Sequence, residues 1–231
     1  MAEHGHVLVV DDEPQLLRAL RINLRARGFE VTTAATGADA LEAVSRSTPD
    51  VVVLDLGLPD MDGFTVLDGL RGWTSVPVIV LSARTDAADK VHALDAGADD
   101  YVTKPFGMEE FLARLRAAIR RGSTTTVGAA ATPIVTAGSI AVDLVGKRAT
   151  RDGMPVRLTP TEWAVLELLV RAEPNLVSQR EILTTVWGPT YVSQTNYLRV
   201  YLAALRRKLE ADPSRPEHLL TEAGMGYRFV R

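Results

Sequence analysis

Residues 51–60 read VVVLDLGLPD: four consecutive aliphatic residues, an aspartate at 55, then a loop built on Gly57, Pro59 and Asp60. A segment that is apolar at every position, rather than at every second one, fits a strand covered on both faces. Asp55 then stands where that strand ends. The pattern recurs on either side, in HVLVVDD at 6–12, FEVTTA at 29–34, PVIVLSA at 77–83 and DDYVTKPF at 99–106. Amphipathic stretches near 14–27, 37–47, 86–96 and 109–121 separate these runs. Strand and helix alternating in this way predict an α/β fold, a five-stranded parallel (βα)5 sandwich over residues 1–121. In open parallel sheets, sites form beyond the carboxyl ends of the strands. Here those ends carry Asp11 and Asp12, Asp55, Ser82 and, after the fifth strand, Lys104.

If the first and third strands are neighbours, the carboxylates of Asp11, Asp12 and Asp55 converge. Like charges so close together are unfavourable unless a cation lies among them, and oxygen donors in a small site favour Mg2+. By bridging phosphoryl oxygens and a carboxylate, that cation would neutralise charge while Asp55 attacked phosphorus and became an acyl phosphate. Lys104 adds a compact positive charge, and Ser82 a hydroxyl donor. Each residue is ordinary alone, since acids close many βα loops and loop lysines are usually just solvated. Their order after four different strands carries the inference. A phosphatase of the haloacid-dehalogenase kind also uses an aspartate nucleophile, but it needs a second acid two residues on, and that position is Gly57.

Length and composition bound the rest. A chain of 231 residues accommodates two domains of ordinary size. No apolar run approaches the length that spans a bilayer, and the amino-terminal MAEHGHVLVVDDE lacks a basic leader with a long apolar segment, so a cytoplasmic protein is expected. The absence of cysteine excludes disulfides, thiolate metal sites and cysteine nucleophiles, and the four histidines do not pair at ligand spacing. The net charge of −3 hides an asymmetry: residues 1–121 hold 13 basic and 19 acidic groups, residues 122–231 hold 13 and 10. Only the second half suits a polyanion.

GSTTTVGAAATP, residues 122–133, is small and uncharged and reads as a flexible linker. Beyond it, over residues 134–231, the short β-type segments SIAVDLVG, KRATRDG and MPVRL precede helical periodicity from about 160 to 209. Thr159 or Thr161 can cap the first helix, and Pro174 and Asn175 stop it. Ser178 and Glu181 have capping-box spacing for a second helix, which ends at Trp187-Gly188. A third, at 193–209, sets Leu198, Leu202, Leu205 and Leu209 on one face and leaves Thr195, Asn196, Arg199, Ala203 and Arg206 pointing away. With Arg207 and Lys208, that outer face has the donors to read base edges and neutralise phosphates, although by composition alone a plain basic surface helix fits equally well. LLTE and YRFV around AGMG predict a closing hairpin. The second domain is therefore expected to be an α+β winged helix.

VVDDE, VVLDLGLPDMDG, VLSAR and DYVTKPF resemble, in order and spacing, the signature segments of response-regulator receiver domains. The resemblance implies Asp55 as phosphoacceptor, Asp12 as a direct Mg2+ ligand, Asp11 as an outer or water-mediated one, and the Gly57 carbonyl as another ligand. It implies that Lys104 pairs with the phosphoryl group and precedes a cis bond to Pro105, and that Ser82 and Tyr101 form a switch pair, although Tyr101 also suits plain core. It further implies a twofold dimer face carrying Lys90, Asp99, Asp100, Glu110, Arg114 and Arg121, where the charges alone would favour a solvated helix face.

NYLRVYLAALRRKLEADPSRP and LLTEAGMGYRF resemble the winged-helix output domains of the OmpR/PhoB subfamily, over essentially all of residues 134–231. That second resemblance implies a DNA-binding transcription regulator, not an enzyme, phosphorylated by a sensor histidine kinase and a homodimer when phosphorylated. It would bind direct repeats in double-stranded promoter DNA, with the loop at 188–194 facing RNA polymerase. DLGLPDMDG, NYLRVYLAALRRKLE and HLLTEAGMGYRF look most like regulators of potassium-uptake operons; the same mechanism with another regulon, or a phosphorylatable adaptor, are the alternatives. One departure stands out. Where many relatives have Arg before the first wing glycine, this chain has Ala223 after Glu222, which puts minor-groove insertion by an arginine there in doubt and leaves Arg228 for backbone phosphates.

Overall fold

The computed structural model describes residues 5–123 and 134–231, and the chain divides after Ser123 into two compact units. The first unit runs β1 (His6–Val10), α1 (Pro14–Arg25), β2 (Glu30–Ala34), α2 (Gly37–Arg46), β3 (Val51–Asp55), α3 (Gly63–Trp73), β4 (Val78–Ser82), α4 (Ala87–Asp95), β5 (Asp100–Thr103) and α5 (Met108–Ser123). The five strands are parallel, in the order β2-β1-β3-β4-β5. Gly122 and Ser123, which the sequence suggested as the start of the linker, continue α5, and residues 124–133 lie outside the described residues.

The three central strands, β1, β3 and β4, are buried on both faces, as their nearly uninterrupted apolar sequences require. Val7, Val9, Val51, Val53, Ile79 and Leu81 pack with Leu20 and Leu24 of α1 and Phe111, Leu112 and Leu115 of α5. The alternate residues Leu8, Val52, Leu54 and Val80 are equally buried on the opposite face. Register positions the site. Val10 pairs with Leu54, so Asp11 and Asp55 leave neighbouring strands at the same level. Asp55 pairs with Leu81, and Ser82 with Thr103, which brings Ser82 and Lys104 to the same edge. The sheet order reverses between β1 and β3, and a crevice at such a switch point is where open α/β sheets bind ligands.

The second unit begins with the antiparallel sheet β6 (Val135–Ala137), β7 (Ile140–Asp143), β8 (Arg148–Arg151) and β9 (Met154–Val156). Next come α6 (Pro160–Ala172), β10 (Val177–Ser178), α7 (Gln179–Val186), a 3-10 turn at Pro189–Tyr191, α8 (Thr195–Leu209), β11 (Leu219–Glu222) and β12 (Gly226–Phe229). Thr159, not Thr161, caps α6: its Oγ1 accepts the Glu162 amide at 3.3 Å while Glu162 accepts the Thr159 amide at 2.7 Å. At α7, Ser178 Oγ accepts the Glu181 amide at 3.2 Å. β11 and β12 form the expected hairpin, and β12 also pairs with β10, a two-residue strand too short for a periodic signal. Among the described residues no helix is long and apolar enough to cross a membrane.

Gly226 lies against the Val177 carbonyl, and a Cβ there would overlap that oxygen. Gly226→Ala is therefore expected to destabilise the second unit by about 2–3 kcal/mol, read as a lower urea midpoint in fluorescence-monitored unfolding.

Candidate functional site

The carboxylates after β1 and β3 do converge. Asp11, Asp12 and Asp55 each place an oxygen within 4.8 Å of the others; Asp11 and Asp55 are buried and Asp12 is exposed. Asp11 Oδ1 accepts the Glu13 amide at 2.9 Å, and Asp55 Oδ1 accepts the Leu56 amide at 2.9 Å. Lys104 reaches in after β5, its Nζ lying 2.7 Å from Asp11 Oδ2, 3.3 Å from Glu13 Oε1 and 3.4 Å from Asp55 Oδ2. Burial is the largest influence on Asp11 and raises its pKa above the usual carboxylate range, against the opposing pull of Lys104. For Lys104 burial is again the largest single influence and lowers the pKa, but the combined attraction of Asp11, Asp55 and Glu13 leaves it raised. The pocket thus gathers four carboxylates around one ammonium, a donor set and charge imbalance that suit a hard divalent cation.

The loop after β3 is held for this purpose. The Asp60 carboxylate accepts the amides of Gly37 and Ala38 at 2.8 and 3.0 Å, which lowers its pKa and ties the loop to the start of α2. At Gly63 a Cβ would meet Leu56 Cα at 2.5 Å and the Asp55 carbonyl at 2.6 Å, so only glycine lets α3 start this close to the strand end. Gly57 lies nearby, its Cβ position 3.6 Å from Asp55 Oδ2. The Lys104-Pro105 bond is cis. Ser82 is buried, and its Oγ accepts the Arg84 amide at 3.2 Å. Tyr101 is turned into the fold; its hydroxyl donates to the Arg84 carbonyl at 2.9 Å and also bonds with Ser82, and burial raises its pKa.

The six residues expected on a dimer face have different situations. Arg114 bridges Asp100, at 3.2 Å, and Glu110, at 2.7 Å, within the same chain. Lys90 is half-buried nearby, its pKa lowered chiefly by burial and partly restored by Asp100. Arg121 is nearly covered. Asp99 is fully buried, as Asp100 is, and its Oδ2 accepts from Arg71 and from the Val78 amide, both at 3.0 Å. The resemblance to receiver domains put it on the dimer face; within the chain its partner is Arg71, which also donates to the Gly97 and Val76 carbonyls.

α8 buries Leu198, Leu202, Leu205 and Leu209, and with them Tyr197, Val200, Tyr201 and Ala204. Trp187, Tyr191, Tyr197 and Tyr201 pack ring against ring. Only a narrow stripe stays fully exposed, formed by Asn196, Arg199, Ala203 and Arg207, with Thr195 half-exposed at its start. Two of the basic residues expected on this stripe do other work. The Arg206 guanidinium donates to the Leu219 carbonyl, 2.9 Å from Nε, and to Thr221 Oγ1 at 2.7 Å, fastening β11 to α8. Lys208 donates to the buried Glu162 at 2.6 Å, fastening α8 to the cap of α6. Arg228 pairs with Glu222 at 2.6 Å. Glu210, not anticipated from the sequence, is buried just after α8 and accepts the amides of Glu217, His218 and Leu219 at 3.1, 3.0 and 2.7 Å.

The acidic pocket on a doubly covered parallel sheet, followed by a winged helix, defines a class. Residues 7–116 match the family model "Response regulator receiver domain", and residues 153–229 match "Transcriptional regulatory protein, C terminal". The chain belongs to the response regulators of the OmpR/PhoB type, with a DNA-binding effector domain. Over 223 residues, 96% of this chain and 98% of the relative, it is 66% identical to the transcriptional regulatory protein KdpE of Mycobacterium tuberculosis. It is 47% identical over 225 residues, 97% of this chain and 99% of the relative, to the KDP operon transcriptional regulatory protein KdpE of Escherichia coli K12. Among solved structures it is similar to the response regulator DrrB of Thermotoga maritima, an OmpR/PhoB homologue, with TM-score 0.51 and 29% identity over 98% of this chain and 99% of that one. Both KdpE relatives are transcriptional regulatory proteins.

The bonds of Arg206 set a test within α8. Arg206→Ala is expected to cost about 1–3 kcal/mol of unfolding free energy, because it strands the Leu219 carbonyl. Exposed Arg207→Ala should change stability by no more than about 0.5 kcal/mol, both measured by urea titration followed by tryptophan fluorescence.

Proposed function

We propose that this chain is a phosphorylation-controlled transcription regulator, charged on Asp55 by a sensor histidine kinase and acting as a homodimer on promoter DNA. The observation that carries it is the convergence of Asp11, Asp12 and Asp55 within 4.8 Å beside Lys104. A carboxylate oxygen of Asp55 attacks phosphorus, the bond from phosphorus to the kinase histidine breaks, and an acyl phosphate forms. Asp12, Asp55 and the Gly57 carbonyl would hold Mg2+ directly and Asp11 through water; when bound, the ion neutralises charge on the phosphoryl oxygens. Lys104 exchanges part of its bonding to Asp11 for a phosphoryl oxygen. Ser82 turns its hydroxyl to the same group, with Tyr101 packed inward behind it, so that one local charge event biases the surface around α4, β5 and α5.

On that surface Lys90, Asp100, Glu110, Arg114 and Arg121 would exchange partners within the chain for partners across a twofold axis. Asp99, paired within the chain with Arg71, would have to do the same. In the effector domain Asn196 and Arg199 would read base edges and Arg207 a phosphate, with Thr195 and Ala203 permitting close approach to the groove. The loop at 188–194 is the surface offered to RNA polymerase. The potassium-uptake operon is the proposed target, supported by the names of the KdpE relatives, and the cytoplasm is where kinase, polymerase and promoter are all within reach.

Incubated with a small-molecule phosphodonor and Mg2+, the wild-type chain should take up label and Asp55→Ala none, with its circular dichroism unchanged; persistent labelling of the variant would move the phosphoacceptor elsewhere. In gel-shift titrations Arg199→Ala should weaken binding to the host's potassium-uptake promoter by about 1–3 kcal/mol and binding to random duplex by much less. Equal losses would reduce Arg199 to a phosphate contact.

A further inference from the structure

We propose that Glu13 is a positioning residue for phosphoryl transfer to Asp55: its carboxylate competes with the incoming phosphoryl group for the Lys104 ammonium and so restrains the rate at which the chain is charged. The inference rests on the role of Asp55 proposed above. An ammonium has three N–H donors and no acceptor. Around the Lys104 Nζ stand three carboxylates, Asp11 at 2.7 Å, Glu13 at 3.3 Å and Asp55 at 3.4 Å. The charge of Lys104 is thus shared among three anions before any phosphoryl group arrives. Glu13 is placed for this by its backbone. It stands one residue before α1, which Pro14 starts, and its amide is tied to Asp11 Oδ1 at 2.9 Å. At that position a side chain commonly accepts a helix amide, but the Glu13 side chain accepts none and turns to Lys104 instead.

The three anions are not equivalent. Asp11 is fully buried, and Asp55, also buried, is the acceptor itself. The Glu13 carboxylate is 63% exposed, so water solvates it whether or not Lys104 is bonded to it. An ion pair so exposed adds little to stability. Its negative charge nevertheless stands beside the place where more negative charge must gather. During transfer a carboxylate oxygen of Asp55 bonds to phosphorus, the bond from phosphorus to the donor breaks, and the donor leaves with that electron pair. Lys104 then loosens from Asp11 toward the phosphoryl oxygens, while Glu13 attracts the same ammonium and repels those oxygens. Removing the charge of Glu13 leaves Lys104 to the phosphoryl group.

The test charges the full-length chain with acetyl phosphate, from which acetate leaves, at saturating Mg2+ and over a series of salt concentrations. Saturation keeps any change in ion affinity out of the rate. Glu13→Gln is expected to be charged about threefold to tenfold faster than wild type at low salt, with the gain narrowing as added salt screens the exposed charge. The same variant should bind beryllofluoride, a phosphoryl mimic that undergoes no transfer, more tightly by a similar factor in calorimetric titration. Glu30→Gln makes the same change in net charge at the start of β2, the opposite end of the strands, and should match wild type in both measurements. An unchanged or slower rate in Glu13→Gln, or a gain that salt does not narrow, would overturn the competition and leave Asp55 as the acceptor. If the wild-type chain took up no phosphoryl group at all, the role of Asp55 would fall first.

Discussion

The constraint on which the first unit depends is the crowding of Asp11, Asp12 and Asp55 at one edge of the sheet, with Glu13 beside them and Lys104 the cation seated among them. Strand register makes the crowding unavoidable, because Val10 and Leu54 are partners and the next residue on each strand is an acid. Burying Asp11 and Asp55 raises the electrostatic cost of leaving the charges uncompensated. The fold supports that cost through a core packed on both sides of the strands. A site assembled this way is sensitive to charge, because Lys104 already shares its ammonium among Asp11, Glu13 and Asp55.

The second unit solves a different problem, that of fastening α8 to a hairpin and to α6. Its cations are divided between the two tasks. Arg206 and Lys208 brace α8 against β11 and α6, Arg228 is occupied by Glu222, and Glu210 gathers the amides that lead into the hairpin. What is left for a partner is the narrow stripe of Asn196, Arg199, Ala203 and Arg207. A helix with so much of its circumference buried can offer a partner only this one face.

Much of this was legible in the sequence because it follows from periodicity. Strands apolar at every position gave the parallel sheet, and acids or turn residues at their ends gave the pocket. The leucines of α8 fell on the buried face as their spacing demands. Long-range pairing was not legible. Asp99 looked like a surface charge until Arg71, 28 residues earlier, was seen to satisfy it. Arg206 and Lys208 carry the same sign as the exposed stripe, and only the backbone of Leu219 and the side chain of Glu162 show where their charges go. Glu13 and Glu210 gave no signal, since nothing local distinguishes a carboxylate that meets a lysine or a row of amides from one in water. Thr161, an equal candidate for the cap of α6, lost to Thr159 because the cap must stand one residue before the helix-starting proline.

Calorimetric titration of the unphosphorylated full-length chain with Mg2+ tests the central claim most directly. If the clustered acids are a cation site, the chain binds a single Mg2+ with millimolar or tighter affinity, and Asp12→Ala, at the exposed carboxylate of the three, abolishes that binding without unfolding the protein. No heat of binding in the wild-type chain, or binding that survives unchanged in Asp12→Ala, would contradict it.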